Sequence, residues 1–599
     1  MSVPAEAGST RSAAEWLDAV LAEERRGELL TAFDLAERGL EEHPDDLPLQ
    51  HRAVLALARA GSTDQAAQRF ERYGLAADRS EDVRALEARI AKDVALAAAG
   101  EERRRLALRS AALYEAIFAD TQGYYPGVNA ATLRLVAGDT QGAEALAARV
   151  LEILRAGDDH GYYAVATEAE AQLVLGDLDA ATAAVERAAG LHGGDHAATA
   201  TTRRQLRLVC DERELDRSVL APLAGPRVVH FCGHRLSADG PLPASALDRV
   251  AEAIAAEVDD VRPAYGYGAL ASGADIVWAE TLLARGAELH VVLPFARDEF
   301  VRASVADAGP AWVERFERCL EAATEVSYAT DDAFLSDDVL YRYGSELAMG
   351  LALLRSRFLE SEAHQLAVWD GLPARGAAGT AIDVVTWSRG GRSASIVRPD
   401  GAVDSGMPVE GFPADDGLPT GRVVRALLFG DVHGFSKLRD EQYPRFAELV
   451  LGTFAEVLRR HDETVCFRNT WGDGLYVVLT DPVAAAACAL ELQQAMADVG
   501  SAGEPLPSHL ALRLSGHVGP VFPTRDPVLG ADAFMGSHVS RTARIEPVTP
   551  SGAVYVTEAF AAALELAADR FACDYVGHMP AAKDYGRLRM YRLRRRSHR

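Results

Sequence analysis

Hydrophobic and polar positions follow three different rhythms along this chain. Up to about residue 220, apolar residues recur at helical spacing in a background of Ala, Leu, Glu and Arg, with few strand formers. Glycine and a short polar turn punctuate the pattern. Gly27 opens GELLTAFDLAERGL, and Gly61 opens GSTDQAAQRF 34 residues later. The pattern returns in AGDTQGAEALAARVL from Ala137 and LGDLDAATAAVERA from Leu175. A period of roughly 34 to 40 residues predicts stacked helix pairs, each with an apolar face that only its neighbour can cover. At Pro226 the rhythm changes. RVVHFCGH (227–234), ELHVVLPF (288–295) and QLAVWDG (365–371) are short apolar runs, separated by helix-length segments such as ALDRVAEAIAAEV. Strands alternating with helices predict an α/β doubly wound parallel sheet over 226–400. Residues 401–421 have Gly, Pro and Asp but no period, and read as an exposed linker. From 422 to 596 an apolar run delivers Asp431 to a strand end, and CFRN and LYVVL flank a Trp-Gly-Asp-Gly turn carrying Asp473. That is a hairpin in an α+β domain.

The helix pairs of residues 1–220 resemble tetratricopeptide repeats. The stretch YEAIFADTQGYYPGVNAATLRLVAGD (114–139) resembles the helical-repeat domain found beside kinases that bind TRAF proteins. A groove for a protein partner and a packing or dimerisation scaffold both fit. Tyr124, Tyr125 and Pro126 stand at a helix end, as groove-lining or core residues.

In the middle region the strand-to-helix turn holds Gly266, Gly268, Ser272 and Gly273. Glycines there allow close backbone approach, and a helix N-terminus offers free N–H groups to phosphate. SGADIVWAETLLARGAELHVVLP resembles the SLOG superfamily, the DprA and Lonely-guy type of Rossmann-like domain. Asp370, Gly371, Gly379 and Thr380 fit that family's second pocket segment, and His230 and His234 are strand-end candidates. The resemblance implies a nucleotide-like ligand at 226–400. The family's hydrolase set is incomplete here, which favours a sensor.

The C-terminal region carries four motifs in order. Phe-x-Asp-Val-x-Gly-Phe spans 429–435, and Gly-Asp follows with Asp473 42 residues after Asp431. LRLSGHVGPV (512–521) and GSHVSRTARI (536–545) complete the set. Together they resemble the class III nucleotidyl cyclase domain, a ferredoxin-like α+β fold. The resemblance implies that Asp431, Asp473 and the backbone carbonyl of Val432 hold two Mg2+ or Mn2+ ions, hard cations suited to oxygen ligands. It makes Arg544 the residue that steadies the transition state and Lys583 a phosphate contact. Ser540 stands where the family has a ribose-orienting Asn. The base-reading positions are Asn469, where members carry Lys or Glu, and Ala533, with Asp532 one place off. Base choice therefore stays open, with ATP favoured only by its abundance. The family builds each site between two domains, so a homodimer acting on a nucleoside triphosphate is expected. The rival is a non-catalytic nucleotide-binding receptor or scaffold on the same fold.

Composition narrows the picture. The 599 residues are 49% hydrophobic and 25% charged, enough for several cores. A net charge of −26 argues against a broad grip on nucleic acid, leaving the basic stretch 587–599 as a local exception. No apolar run is long enough to span a membrane and residues 1–12 hold no apolar signal core, so a cytoplasmic location is the expectation. The six cysteines are scattered without a Cys-x-x-Cys, which argues against a zinc site or a disulfide framework.

Overall fold

The structure is a computed structural model. It describes residues 11–596 except 239, 375, 406–420, 502–505, 508, 529, 568–569 and 584. The helical arm holds eleven α-helices among the described residues, from Ala13–Arg26 to His196–Arg213. The repeated Gly-Asp pairs explain the turns between them. Gly138 and Gly176 adopt φ of 88° and 81°, the left-handed region that stops a helix. Asp139 and Asp177 then accept the N–H groups of Gly142 and Ala180 and start the next one. Such a cap contributes about 1 kcal/mol. Rows of buried alanine, including Ala143, Ala147, Ala181 and Ala184, let neighbouring helices approach closely. Pro126 is buried within its helix, whereas Tyr125 is 41% exposed and the Tyr124 hydroxyl donates to Asp159 at 2.7 Å.

The first sheet comprises β1 (Arg227–Gly233), β2 (Pro263–Gly268), β3 (Glu288–Leu293), β4 (Glu325–Tyr328), β5 (Ala363–Val368), β6 (Ala394–Val397) and β7 (Val403–Ser405). Their order is β4-β3-β2-β1-β5-β6-β7, parallel except for the antiparallel edge β7. The chain winds outward from β1 to β4, then returns through the helix Asp338–Phe358 to β5 on the other side of β1. The order thus reverses between β1 and β5, where crevices form in such sheets. The linker expected at 401–421 begins with the strand β7, and its remainder from 406 to 420 lies outside the described residues.

The second sheet comprises β8 (Val423–His433), β9 (Val465–Trp471), β10 (Gly474–Leu479), β11 (Ala511–Asp526), β12 (Ala531–Met535), β13 (Val554–Thr557), β14 (Phe571–Pro580) and β15 (Arg587–Arg595). The order is β14-β15-β13-β11-β8-β10-β9, with β12 paired to the far end of β11. The helices Gly452–Arg460, Pro482–Ser501 and Glu558–Ala567 supply apolar residues to the core on one face.

One continuous apolar core joins the three regions. It runs from Trp16 and Phe33 of the arm through Tyr343 and Leu354 of the Asp338–Phe358 helix to Phe560 and Tyr575 beside the second sheet. Phe33 meets Tyr575 edge-on at 6.1 Å, and the Tyr575 hydroxyl donates to Asp34 at 2.7 Å. The Asp338–Phe358 helix meets the helix Glu558–Ala567 at Gly350, where a Cβ would overlap the backbone carbonyl of Ala562. Backbone cannot yield as a flexible side chain can. Gly350→Val should therefore destabilise the full chain by roughly 2 kcal/mol through forced separation of the two helices. The midpoint of the first transition in urea reports this loss; an unchanged midpoint would mean the helices are not held at this spacing.

Candidate functional site

Strand register creates the first candidate site. Asp431 near the end of β8 pairs with Gly474 of β10, and Gly474 pairs in turn with Trp471 of β9. Trp471 thus belongs to β9, which leaves Gly472, at φ 64°, and Asp473 as the turn. This brings the Asp473 carboxyl against that of Asp431. Burial, and then the charge of Asp431, hold Asp473 above the usual carboxylate range. On the other side of β8, Arg513 of β11 is directly opposite Asp431. Its guanidinium pairs with Asp431 and, at 3.0 Å, with Glu546. Burial comes first in raising the Glu546 carboxyl, with Asp431 and Asp473 adding to it. The site is therefore three carboxylates around one guanidinium.

The other expected residues distribute themselves around it. The Val432 side chain is buried in the core, so its carbonyl is what it can offer a ligand. Ser540 and Arg544 lie four apart, on one face of the helix Ser537–Ile545. Ser540 is exposed and Arg544 half-buried, and the Arg544 carbonyl accepts the Ala582 N–H at 3.0 Å. That bond sets Lys583, exposed and left-handed at φ 59°, beside the same helix. Asn469 lies on β9 and accepts the N–H of Thr470 through its own side chain. Ala533 is buried on β12 opposite Thr524, with Asp532 exposed next to it.

A buried chain of hydrogen bonds steadies this helix. Thr557 bonds His517 Nδ1 at 2.8 Å, His517 Nε2 meets His538 Nδ1 at 2.7 Å, and His538 Nε2 meets Thr330 at 3.0 Å. Thr330 follows β4 of the first sheet. Nearby, Ser537 donates to Asp332 at 2.7 Å. Burial lowers the pKa of both histidines, so they stay neutral links. Arg513, Glu546 and the histidine pair were not singled out from sequence. Arg513, His517 and His538 all sit inside the quoted motifs, while Glu546 carries no sequence signal beyond following Ile545.

The donor set suits divalent magnesium or manganese. Two adjacent carboxylates repel each other, and hard oxygens with a nearby backbone carbonyl are what such ions take. Arg513 already neutralises one of these carboxylates, so a cation there would share Asp431 with it.

The second candidate site is a cavity of about 460 Å³ at the switch between β1 and β5. Gly379 and Thr380 line it, as do His230, His234, Asp275 and Asp383. His234 contacts Asp370 at 3.1 Å, which places Asp370 and Gly371 at its edge. Gly266 and Gly268 do not line it. A Cβ on either would strike Leu282 or Phe231, so they let β2 pack closely. Gly273, at φ 108°, presses on the backbone of His234 and Leu236, and Ser272 is fully buried behind it. His230 is driven down to about 3 by burial and is a neutral wall residue. Burial also raises Asp275 to about 8 and Asp383 to about 7. Asp275 Oδ1 has no hydrogen-bond partner, while Asp383 accepts from Ser345 at 3.2 Å. Both acids sit in the first turns of the helices Ala274–Ala284 and Thr380–Ser388, where a phosphate would otherwise be drawn.

A third group, Glu28, Glu288 and His290, gathers its ligand atoms within 4.8 Å of one another at the seam between arm and first sheet. Arg26 pairs with Glu288 at 2.7 Å and Arg355 pairs with Glu28, so this group is held by ion pairs.

Comparison with known proteins gives partial matches. The Tetratricopeptide Repeats-Sensor family model matches residues 28–134. The solved guanylyl cyclase Cya2 is 22% identical, with 29% of this chain and 93% of that chain covered and a TM-score of 0.25. The adenylyl cyclase CyaB from P. aeruginosa is 19% identical over 30% of this chain and all of its own, with a TM-score of 0.26. A Trypanosoma brucei adenylate cyclase in its monomeric state is also 19% identical, over 30% and 92%, with a TM-score of 0.25. A search of curated proteins returned no match. Among the described residues, no helix is long and apolar enough to cross a membrane.

Two pH experiments test the charge arrangement. Without divalent metal, Asp473→Asn should melt higher than the parent chain at neutral pH, because it removes a repelled carboxylate. A raised carboxyl destabilises the fold only once ionised, so the gap should open as pH rises past about 4 and close below it. Asp275→Asn should likewise melt higher at pH above about 8 and match the parent near pH 4. Gaps that stay constant with pH would contradict both assignments.

Proposed function

We propose that the region built on the second sheet is a nucleotidyl cyclase. It would convert a nucleoside triphosphate to a 3′,5′-cyclic nucleotide and pyrophosphate at a homodimer interface. The observation that carries this reading is the register-enforced meeting of Asp431 and Asp473. A fold kept only for pairing has no need to hold two repelling carboxylates together.

The chemistry is an in-line displacement in which the ribose 3′-hydroxyl attacks the α-phosphorus. Bound divalent ions would supply charge neutralisation and hydroxyl activation at Asp431, Asp473 and the Val432 carbonyl. Arg544 brings a planar guanidinium to the charge that grows on the phosphate. Lys583, exposed beside the Arg544 helix, is free to meet the triphosphate. Ser540 can hydrogen-bond a ribose hydroxyl but reaches less far than Asn. Asn469 offers both a donor and an acceptor, and so fits more than one base. The arm and the cavity of the first sheet would act as sensor or interaction parts, a reading in keeping with the match at 28–134.

One observation favours the rival, a nucleotide receptor without turnover. Arg513 already pairs with Asp431, and a built-in cation lowers the need for an added one. Incubation of the full chain with Mn2+ or Mg2+ and each of ATP, GTP, CTP and UTP decides between them. Cyclic product should form from at least one triphosphate and fall by a factor of roughly 100 or more in Asp431→Asn/Asp473→Asn. Product that survives the double substitution would remove these residues from the reaction. Binding of nucleotide with no product from a dimeric sample would favour the receptor.

A further inference from the structure

A cleft of about 890 Å³ lies between the first and second sheets, apart from both sites above. It is unusual for its charge. The chain as a whole carries −26, yet seven arginines and only three carboxylates line this cleft. The carboxylates are already engaged. Glu565 pairs with Arg357 and, at 2.8 Å, with Arg596. Glu346 pairs with Arg342 at 2.9 Å, and Asp481 accepts the N–H groups of Val483 and Ala484.

Three guanidiniums remain without a carboxylate. Among the described residues Arg389, Arg392 and Arg425 form no ion pair. Arg392 reaches only carbonyls, those of Trp387, Glu565 and Leu566. Arg425 donates to the Val424 carbonyl, and its Nε is buried with no hydrogen-bond partner. Arg422 is 2% exposed. It donates to the Ala333 carbonyl and faces Asp337 and Asp332 at 3.6 and 3.9 Å, so its charge is already met. Collecting cations without counter-charge is costly as they leave water. Guanidiniums repay that cost by forked hydrogen bonds to phosphate oxygens.

We propose that this cleft binds a small molecule carrying several phosphate charges, held by Arg389, Arg392 and Arg425. The residues come from both sheets, so the bound anion would bridge them. Arg389 and Arg392 follow the helix Thr380–Ser388, and Arg425 lies near the start of β8. Among the described residues, the cavity between β1 and β5 has no such cluster: Arg235 is the one guanidinium in its wall, and it pairs with Asp307. A polyphosphate would thus prefer the cleft. The proposal does not depend on the cyclase reading.

Inorganic tripolyphosphate is the probe, titrated calorimetrically into the full chain in EDTA, where Asp431 and Asp473 have no metal through which to hold phosphate. Saturable binding of one equivalent is expected. Arg389→Gln/Arg425→Gln should weaken it by roughly tenfold or more, with an unchanged melting midpoint showing that the variant is folded. Asp431→Asn/Asp473→Asn should bind as the parent does. Absence of saturable binding, or binding that survives the arginine substitutions, overturns the proposal. So would loss in the aspartate variant alone, which would place the anion at the carboxylate site.

Discussion

The fold depends on one helix being buried by three regions at once. Asp338–Phe358 closes the crossover of the first sheet, and its faces divide the surrounding space. Asp338, Tyr341 and Ser345 wall the cavity between β1 and β5, while Arg342, Glu346 and Arg357 line the arginine cleft. Its C-terminal turns carry Arg355, which is 6% exposed, pairs with Glu28 of the arm and stacks over Tyr265 at 4.4 Å. Removing one partner of so buried a pair leaves the other uncompensated, at a cost of about 3–5 kcal/mol. Gly344 and Gly350 allow the helix to lie directly on Pro294 and Ala562. Such a helix cannot shift in one region without being felt in the others, because close-packed interiors transmit displacement rather than absorb it.

Much of the second sheet's site was legible because its signal is local. Asp431 ends an apolar run and Asp473 sits between glycines, so strand, turn and carboxylate can all be read within a few residues. Arg513 and Glu546 were not legible as members. Arg513 takes its role from the pairing of β8 with β11, strands about eighty residues apart, and Glu546 takes its own from meeting Arg513; a pattern of alternation does not say which strands become neighbours. Glycine was misleading in the first sheet for a related reason. Gly266 and Gly268 look like residues that clear space for a ligand, yet the space is taken by Phe231 and Leu282. Asp275 and Asp383 were passed over because an Asp in a first helical turn normally faces solvent and complements the dipole. Here the helices are sandwiched, and the same acids end up buried.

Electrostatics is local in this protein. A single net charge of −26 predicts repulsion of every polyanion, but charges separated by more than about a Debye length act independently. The cavity of the first sheet, the carboxylate site of the second and the arginine cleft between them each have their own sign. The expectation of a nucleotide-like ligand at 226–400 should be refined accordingly. Buried acids occupy both helix N-termini of the cavity, where phosphate would bind, and uncharged hydroxyl or amine groups suit them better.

The connection between the sheets falls on the helix of Ser540 and Arg544, to which the cyclase proposal gives the phosphate chemistry. The segment from Thr330 to Asp337 follows β4 and leads into the Asp338–Phe358 helix, and it also grips the start of the helix carrying Ser540 and Arg544. Thr330 holds His538, and Asp332 holds Ser537. Asp332 and Asp337 also face Arg422 of the cleft. A guanidinium that must meet developing charge loses much of its value when displaced by about an ångström. Hydrogen bonds at the N-terminal turn set the axis of a helix of nine residues, and so the position of a side chain near its other end. A change that moves the Thr330–Asp337 segment therefore reaches both Arg544 and Glu546, which follows the same helix and pairs with Arg513 of the carboxylate site.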